Sequence, residues 1–222
     1  MTQLERLEYH CHTVYSKDSL TRPATLIETC RKKGLTRVVI TDHNTIAGAQ
    51  VAQKIDPEFV IVGEEIMTQH GELLAAFVKK EVPAGLEPKE AIARLREQAA
   101  FISVSHPFDQ YRNGHWEEED LLEIVPLVDA IEVFNARCIV PAHNQLAREF
   151  AEKHQLLGTC GSDAHAAFEL GRATLVMEPF TDSLSFKAAL ATAQIQGKLS
   201  SPWVHLTSRF AVWYKKVFSV VQ

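Results

Sequence analysis

Ten histidines are spread over the 222 residues, and their placement is the first clue to chemistry. His10 and His12 stand two apart at the end of an apolar run. Side chains alternate along a strand, so both imidazoles face one side and can share a metal ion. Asp42-His43, Glu64-Glu65, Ser105-His106 and Asp163-Ala164-His165 each follow another short apolar run, and Glu132 and Asn135 mark one more. Each piece alone has a bland counterpart. A single His-x-His is commonplace on a surface, Thr41-Asp42-His43-Asn44 reads as a helix cap, Glu65 as a solvated acid, and Asp163-Ala164-His165 as a turn after glycine. Together they are harder to dismiss. Imidazoles and carboxylates at successive strand ends are a costly gathering of polar groups unless cations neutralise them. Such ligands suit Zn, Mn, Fe or Co without selecting sharply among them. About nine candidates, at three or four per ion, imply two or three divalent ions.

The elements that must position these residues alternate along the chain. Strands are expected at Leu7–His12, Arg37–Thr41, Phe59–Val62, Leu73–Val78, Phe101–Val104, Ala130–Phe134, Leu156–Cys160 and Ala173–Met177. Helices are expected from Pro23 to Lys33, Asn44 to Ile55, Pro88 onward, Ala142 to His154, Ser183 to Gln196 and Leu206 to Val220. Repeated strand–helix units imply parallel strands with right-handed crossovers, in an open doubly wound sheet or a barrel. No glycine-rich phosphate loop follows the first strand, which weakens the nucleotide-binding sheet. An α/β barrel of about seven strands fits the length. In a parallel barrel the strand ends converge on one rim, where catalytic groups sit.

His10-Cys11-His12-Thr13 with Asp18, Thr41-Asp42-His43-Asn44, Gly63-Glu64-Glu65-Ile66, Ser105-His106-Pro107-Phe108 and Gly161-Ser162-Asp163-Ala164-His165 resemble the motifs of the PHP (polymerase and histidinol phosphatase) family. The resemblance implies a distorted seven-stranded β/α barrel and a metal-dependent phosphoesterase. It implies that His10, His12 and Asp163 bind a first metal, that Glu65 bridges two metals, that His106 binds the second, and that Asp18, His43 and His165 hold the third. Glu64 is then a neighbour of the bridging acid. Many relatives carry a histidine where this chain has the apolar Leu73–Ala76, and a further one near Glu132 and Asn135, so the second metal is expected to be short of ligands or completed by water. His70 lies near the first gap but in a turn, a poor place for a ligand.

The chemistry expected of such a site is in-line attack on phosphorus by a hydroxide that metal ions generate at neutral pH. No serine or cysteine nucleophile is needed. Arg112 and Arg137 are the best-placed cations to grip a phosphate, with Lys17 weaker. Asp18 and His43 complete the candidate catalytic set. His115, His143, His154 and His205 read as structural or surface residues. The expected substrate is a phosphate ester of a small metabolite or nucleotide. The alternatives are an exonuclease on short nucleic acid, an amidohydrolase, or a non-catalytic metal-binding module.

Composition sets the outer bounds. Hydrophobic residues make up 46% and charged residues 23%, an ordinary globular balance. The net charge of -5 argues against a broad basic face for nucleic acid. No apolar run reaches the roughly 18 residues of a membrane span, and the first residues lack a signal-peptide pattern. Cys11, Cys30, Cys138 and Cys160 form no paired motif and are expected as reduced, buried thiols in a cytoplasmic protein. Residues 1–200 are expected to form the barrel. Residues 201–222, rich in aromatics, are expected as a helix packed on it, with a dimer contact or a membrane-surface helix as the alternatives. The oligomeric state is left open.

Overall fold

The computed structural model describes residues 3–218. Among these, nine strands make one sheet: β1 Glu5–Glu8, β2 Arg37–Ile40, β3 Val60–Met67, β4 Glu72–Ala76, β5 Phe101–Val104, β6 Ala130–Asn135, β7 Leu157–Gly161, β8 Ala173–Met177 and β9 Gln194–Gly197. The helices are α1 Pro23–Lys32, α2 Ala47–Ile55, α3 Pro88–Arg96, α4 Glu118–Ile124, α5 Pro141–His154, α6 Ser183–Leu190 and α7 Val204–Phe218. The strands lie in the order β7-β6-β5-β4-β3-β2-β1-β8-β9. Beyond β1, Cys11 bridges Ala164 in parallel, and His12 N–H donates to the Ala164 carbonyl at 2.9 Å. That bridge brings the extensions of β1 and β7 together and nearly closes a ring of seven strands, while β8 and β9 extend the sheet from β1. The barrel class is as expected; the strand count is nine rather than seven.

The pairing departs from all-parallel. β4 runs antiparallel to both its neighbours, β3 and β5, and β8 runs antiparallel to β1 and β9. The physical reason for the first departure is the connection. Only Thr68–Gly71 separates β3 from β4, and a parallel crossover needs a dozen or more residues. The turn is tied by Thr68 Oγ1, which donates to the Gly71 carbonyl at 2.6 Å. Gly71 is obligatory, because a Cβ there would lie 2.4 Å from the Trp116 ring. The helix expected from Ser183 to Gln196 stops at Leu190. Its buried side is Phe186, Ala189 and Leu190, and the remaining Gln-Ile-Gln-Gly pairs as β9 against β8.

Both faces of the sheet are buried. Along β2, Val38 and Ile40 pack under the helices with Leu26, Ala49 and Ile92, while Val39 points to the opposite side. There it joins Tyr9, Leu74, Phe101 and Phe186, whose ring stacks on Tyr9 at 5.7 Å between centroids. This apolar plug sits where β5 and β6 begin. The polar cluster lies at the other end, where β1, β2, β5, β6 and β7 finish. Helix α7 rests on the barrel through Val204 and Ala211, with Lys215 Nζ donating to the Val14 carbonyl at 2.5 Å and also to the Ser16 carbonyl. The expected helix from Leu206 to Val220 thus begins two residues earlier, and residues 219 and 220 lie outside the described residues. No described helix is long and apolar enough to cross a membrane. All four cysteines are buried and unpaired.

Candidate metal centre

His10 and His12 lie just past the end of β1, on the stretch held to Ala164, and both are fully buried. Gly161 lets β7 come this close, since a Cβ there would meet His10 Cβ at 2.1 Å. Each imidazole is oriented from behind. His10 Nδ1 is 3.0 Å from Glu132 Oε1, and Glu132 Oε2 accepts from the His106 N–H and Asn135 Nδ2, so the His10 ring proton is assigned to Nδ1 with Glu132 as its acceptor. His12 Nδ1 is 3.1 Å from Ser16 Oγ, whose own proton goes to Asp42 Oδ1 at 2.9 Å. Both rings therefore turn Nε2 forward, where it can give its lone pair to an ion once any proton on it has left, the arrangement that carboxylate or hydroxyl partners impose on metal-binding histidines.

What those nitrogens face is a group of carboxylates. Glu65 Oε2 lies 3.2 Å from His10 Nε2, 3.4 Å from His12 Nε2 and 3.1 Å from His43 Nδ1. Asp163 Oδ1 lies 3.3 Å from both His12 Nε2 and His165 Nδ1, and 3.7 Å from His10 Nε2. Glu65 Oε1 is 3.2 Å from His106 Nε2. Asp18 Oδ2 is 3.2 Å from His165 Nε2 and 3.5 Å from His43 Nε2. The atoms are close without being aligned. His10 Nε2, His12 Nε2, His106 Nε2, Glu65 Oε2 and Asp163 Oδ1 are buried and make no hydrogen bond. Buried polar atoms are nearly always paired. Orphans converging at 3.2–3.7 Å have the spacing of ligands around a shared ion, so this donor set fits divalent metals. Three trios gather one donor atom each within 4.8 Å: His10, His12 and Asp163; His12, His43 and His165; and His43, Glu65 and Glu72.

The electrostatics are those of a crowded cation site. Burial, with the neighbouring His165 and His43, pushes His12 down to about 3, so its imidazole is neutral at physiological pH. Burial alone would depress His43, but Glu65 and Asp18 outweigh it and lift this imidazole to about 10. Burial opposes the charge on Asp163, yet Arg112 and His10 hold its carboxyl well below the usual range. Asp163 also sits at φ 50°, a left-handed conformation that Asp tolerates better than most residues.

The PHP domain profile matches residues 8–123, and a PHP-associated profile matches residues 141–194. An uncharacterized protein of Methanocaldococcus jannaschii is 35% identical over 214 residues, covering 89% of this chain and 86% of that protein. The chain belongs to the PHP domain family. A second uncharacterized protein of that organism is 34% identical over 144 residues, covering 59% of this chain and 82% of its own. Among solved structures, this PHP chain is similar to a two-domain protein of Bacteroides vulgatus described as containing a predicted PHP-like metal-dependent phosphoesterase. The TM-score is 0.72 at 17% identity, covering 95% of this chain and 70% of that one. It is also similar to a lesion-specific endonuclease of Pyrococcus furiosus, with TM-score 0.60 at 14% identity, covering 90% of this chain and 60% of that one. At such identities the likeness is one of fold.

Against this PHP frame, the expected site residues His10, His12, Asp18, His43, Glu65, His106, Asp163 and His165 all converge. Glu65 lies inside β3 rather than at its end, because the hairpin carries the strand on to Met67. Glu64 points elsewhere: its Oε2 accepts from Val82 N–H, and burial lifts it to about 8. His70 is apart, 2.7 Å from Asp120 at the surface. Lys17 is exposed. The residue that sequence reading missed is Glu72. Its carboxylate reaches within 3.5 Å of His106 Nε2 and 3.6 Å of His43 Nδ1, filling the gap left by the apolar Leu73–Ala76. The available signal was a charged residue on the first position of an otherwise apolar strand, directly after a tight turn. Glu72→Gln is expected to weaken metal retention by about 10- to 100-fold. Metal content measured after dialysis checks this, and unchanged content would separate Glu72 from the centre.

The two arginines divide. Arg112 reaches into the centre, with Nη2 2.5 Å from Asp163 Oδ2 and Nε 3.5 Å from Asp109 Oδ2. The Arg137 guanidinium is used up by protein groups. Nε is 3.3 Å from Glu169 Oε2, Nη2 donates to the Val204 carbonyl and Ser208 Oγ, and Nη1 lies 2.5 Å from His165 Nδ1. With only 3% of its surface exposed, Arg137 ties α7 to His165 and is not free to grip a phosphate. Arg137→Ala would leave the buried Glu169 without its counter-cation, held only by the His165 and Ala166 N–H groups, at a cost of about 3 kcal/mol. Urea denaturation reads that cost as a lower midpoint, and an unchanged midpoint would refute it.

Proposed function

We propose that this chain is a metal-dependent hydrolase that cleaves a phosphate ester of a small metabolite or nucleotide. The observation that carries the reading is the set of buried, unbonded Nε2, Oε2 and Oδ1 atoms of His10, His12, Glu65 and Asp163, aimed at one another around a common centre. Divalent ions held there supply Lewis-acid charge and a nucleophile at neutral pH. In this reading His10, His12 and Asp163 hold one ion, with Glu65 shared. His106 and Glu72 sit on the second side, and His43, His165 and Asp18 on the third.

The protein's own groups have separable tasks. Glu132 fixes His10 through Nδ1 and accepts from the His106 backbone N–H at 3.0 Å, so one carboxylate registers two ligands. Asn135 donates to both Glu132 and Asp163, joining the ends of β6 and β7. The open side belongs to His43 and Asp18, whose side chains are 13% and 16% exposed. A phosphate entering there meets Arg112, the cation placed to neutralise phosphoryl oxygens as charge shifts in the transition state.

The test is metal analysis of the purified chain, followed by assay of phosphate mono- and diesters with Mn and Zn. Turnover that needs an added metal and stops with chelator supports the proposal. A metal-loaded chain that turns over no phosphate ester would overturn it.

A further inference from the structure

Outside this centre, a second group of donors lies between two loops that border it. Asp109 comes from the segment after β5, Cys138 from the residues just past β6, and His143 from the first turn of α5. Each offers one donor atom within 4.8 Å of the other two. Asp109 and Cys138 are buried, and His143 is half-buried. None has a task in the reaction proposed above.

The contacts among them are poor as hydrogen bonds and good as ligand edges. His143 Nδ1 is 3.4 Å from Asp109 Oδ1, long for a charge-assisted bond. Four ligands at about 2.1 Å around a tetrahedral ion lie roughly 3.4 Å apart. The Cys138 thiol donates to the Val140 carbonyl at 3.2 Å. These residues share one tight crevice with His106 and Asn144, too narrow to hold even a water molecule and so closed to a metabolite.

We propose that Asp109, Cys138 and His143 form a separate site for a zinc-like divalent ion. A thiolate, imidazole and carboxylate set selects borderline-soft metals, whereas the main centre offers nitrogen and oxygen alone. The ion would fasten the loop carrying His106 and Arg112 to the β6–α5 corner. It would also touch the chemistry at one remove, because Asp109 Oδ2 lies 3.5 Å from Arg112 Nε and Arg112 meets Asp163. Loading requires the thiol proton to leave to solvent.

Cobalt distinguishes the two sites without any assay of activity. Titrating the metal-free full chain with Co²⁺ is expected to produce a near-ultraviolet thiolate-to-cobalt charge-transfer band, which nitrogen and oxygen ligands do not give. Cys138→Ser is expected to abolish the band and lower the cobalt bound by one per chain. His143→Gln, a change at a half-buried position that spares the fold, is expected to weaken cobalt binding at this site by at least tenfold. Asp163→Asn is expected to keep the band while losing cobalt from the main centre. No band at saturating cobalt, or a band that survives both Cys138→Ser and His143→Gln, would overturn the site and leave the phosphoesterase reading untouched.

Discussion

Asparagine in place of Asp163 is expected to lower kcat/KM for phosphate esters by about 10³-fold while leaving the fold in place. The substitution keeps the shape of the side chain and its tolerance of the left-handed backbone at φ 50°. It removes the negative charge that faces His10, His12 and His165, and the partner on which Arg112 is aimed. In the proposed reaction two losses therefore coincide: a ligand of the first ion and the alignment of the cation proposed to meet the phosphate. Steady-state kinetics with the preferred metal, together with metal content and circular dichroism, separate loss of chemistry from loss of structure. Wild-type turnover in a folded Asp163→Asn chain would remove the centre from the mechanism.

How much of this was legible without coordinates depends on the kind of constraint. His10, His12, Glu65, His106, Asp163 and His165 stood out because polar side chains ending apolar strands need a reason, and a metal supplies one. Glu72 did not. The family resemblance points to a histidine in the apolar stretch after it, whereas the hairpin that turns its carboxylate inward is set by the brevity of Thr68–Gly71. So short a connection excludes a parallel crossover, and the antiparallel pairing is therefore legible from chain length alone. β9 was not readable in the same way. Gln194–Gly197 has only Ile195 as an apolar anchor, and its pairing with β8 is a tertiary choice that local pattern does not encode. The roles of Glu132 and Arg137 depended on distance as well. Both were singled out as candidates, but only their neighbours show that one orients His10 and the other locks α7 against His165.

Metal loading at pH 7 is expected to release protons from the imidazoles of the centre. In the metal-free protein, burial works against charge on His10, His43 and His106, but the surrounding carboxylates overcome it. Glu65 and Glu132 raise His10 well above its ordinary value, Glu65 and Asp18 bring His43 to about 10, and Glu65 with Glu72 raises His106 despite Arg112. Protons on these rings do part of the neutralising work that cations do, and an ion can take a ring nitrogen only as the proton leaves. His12, down at about 3, has none to give. The sign follows: acid competes with metal, so apparent affinity rises with pH across the neutral range and flattens once these imidazoles are bare. Calorimetric titration with Mn²⁺ or Zn²⁺ in buffers of different ionisation enthalpy measures the protons directly. Chelation should also lower stability, since an ion at 100 times its Kd contributes about 2.7 kcal/mol to the folded state. Zero proton release, or proton uptake, would mean that the ions bind elsewhere than among these histidines.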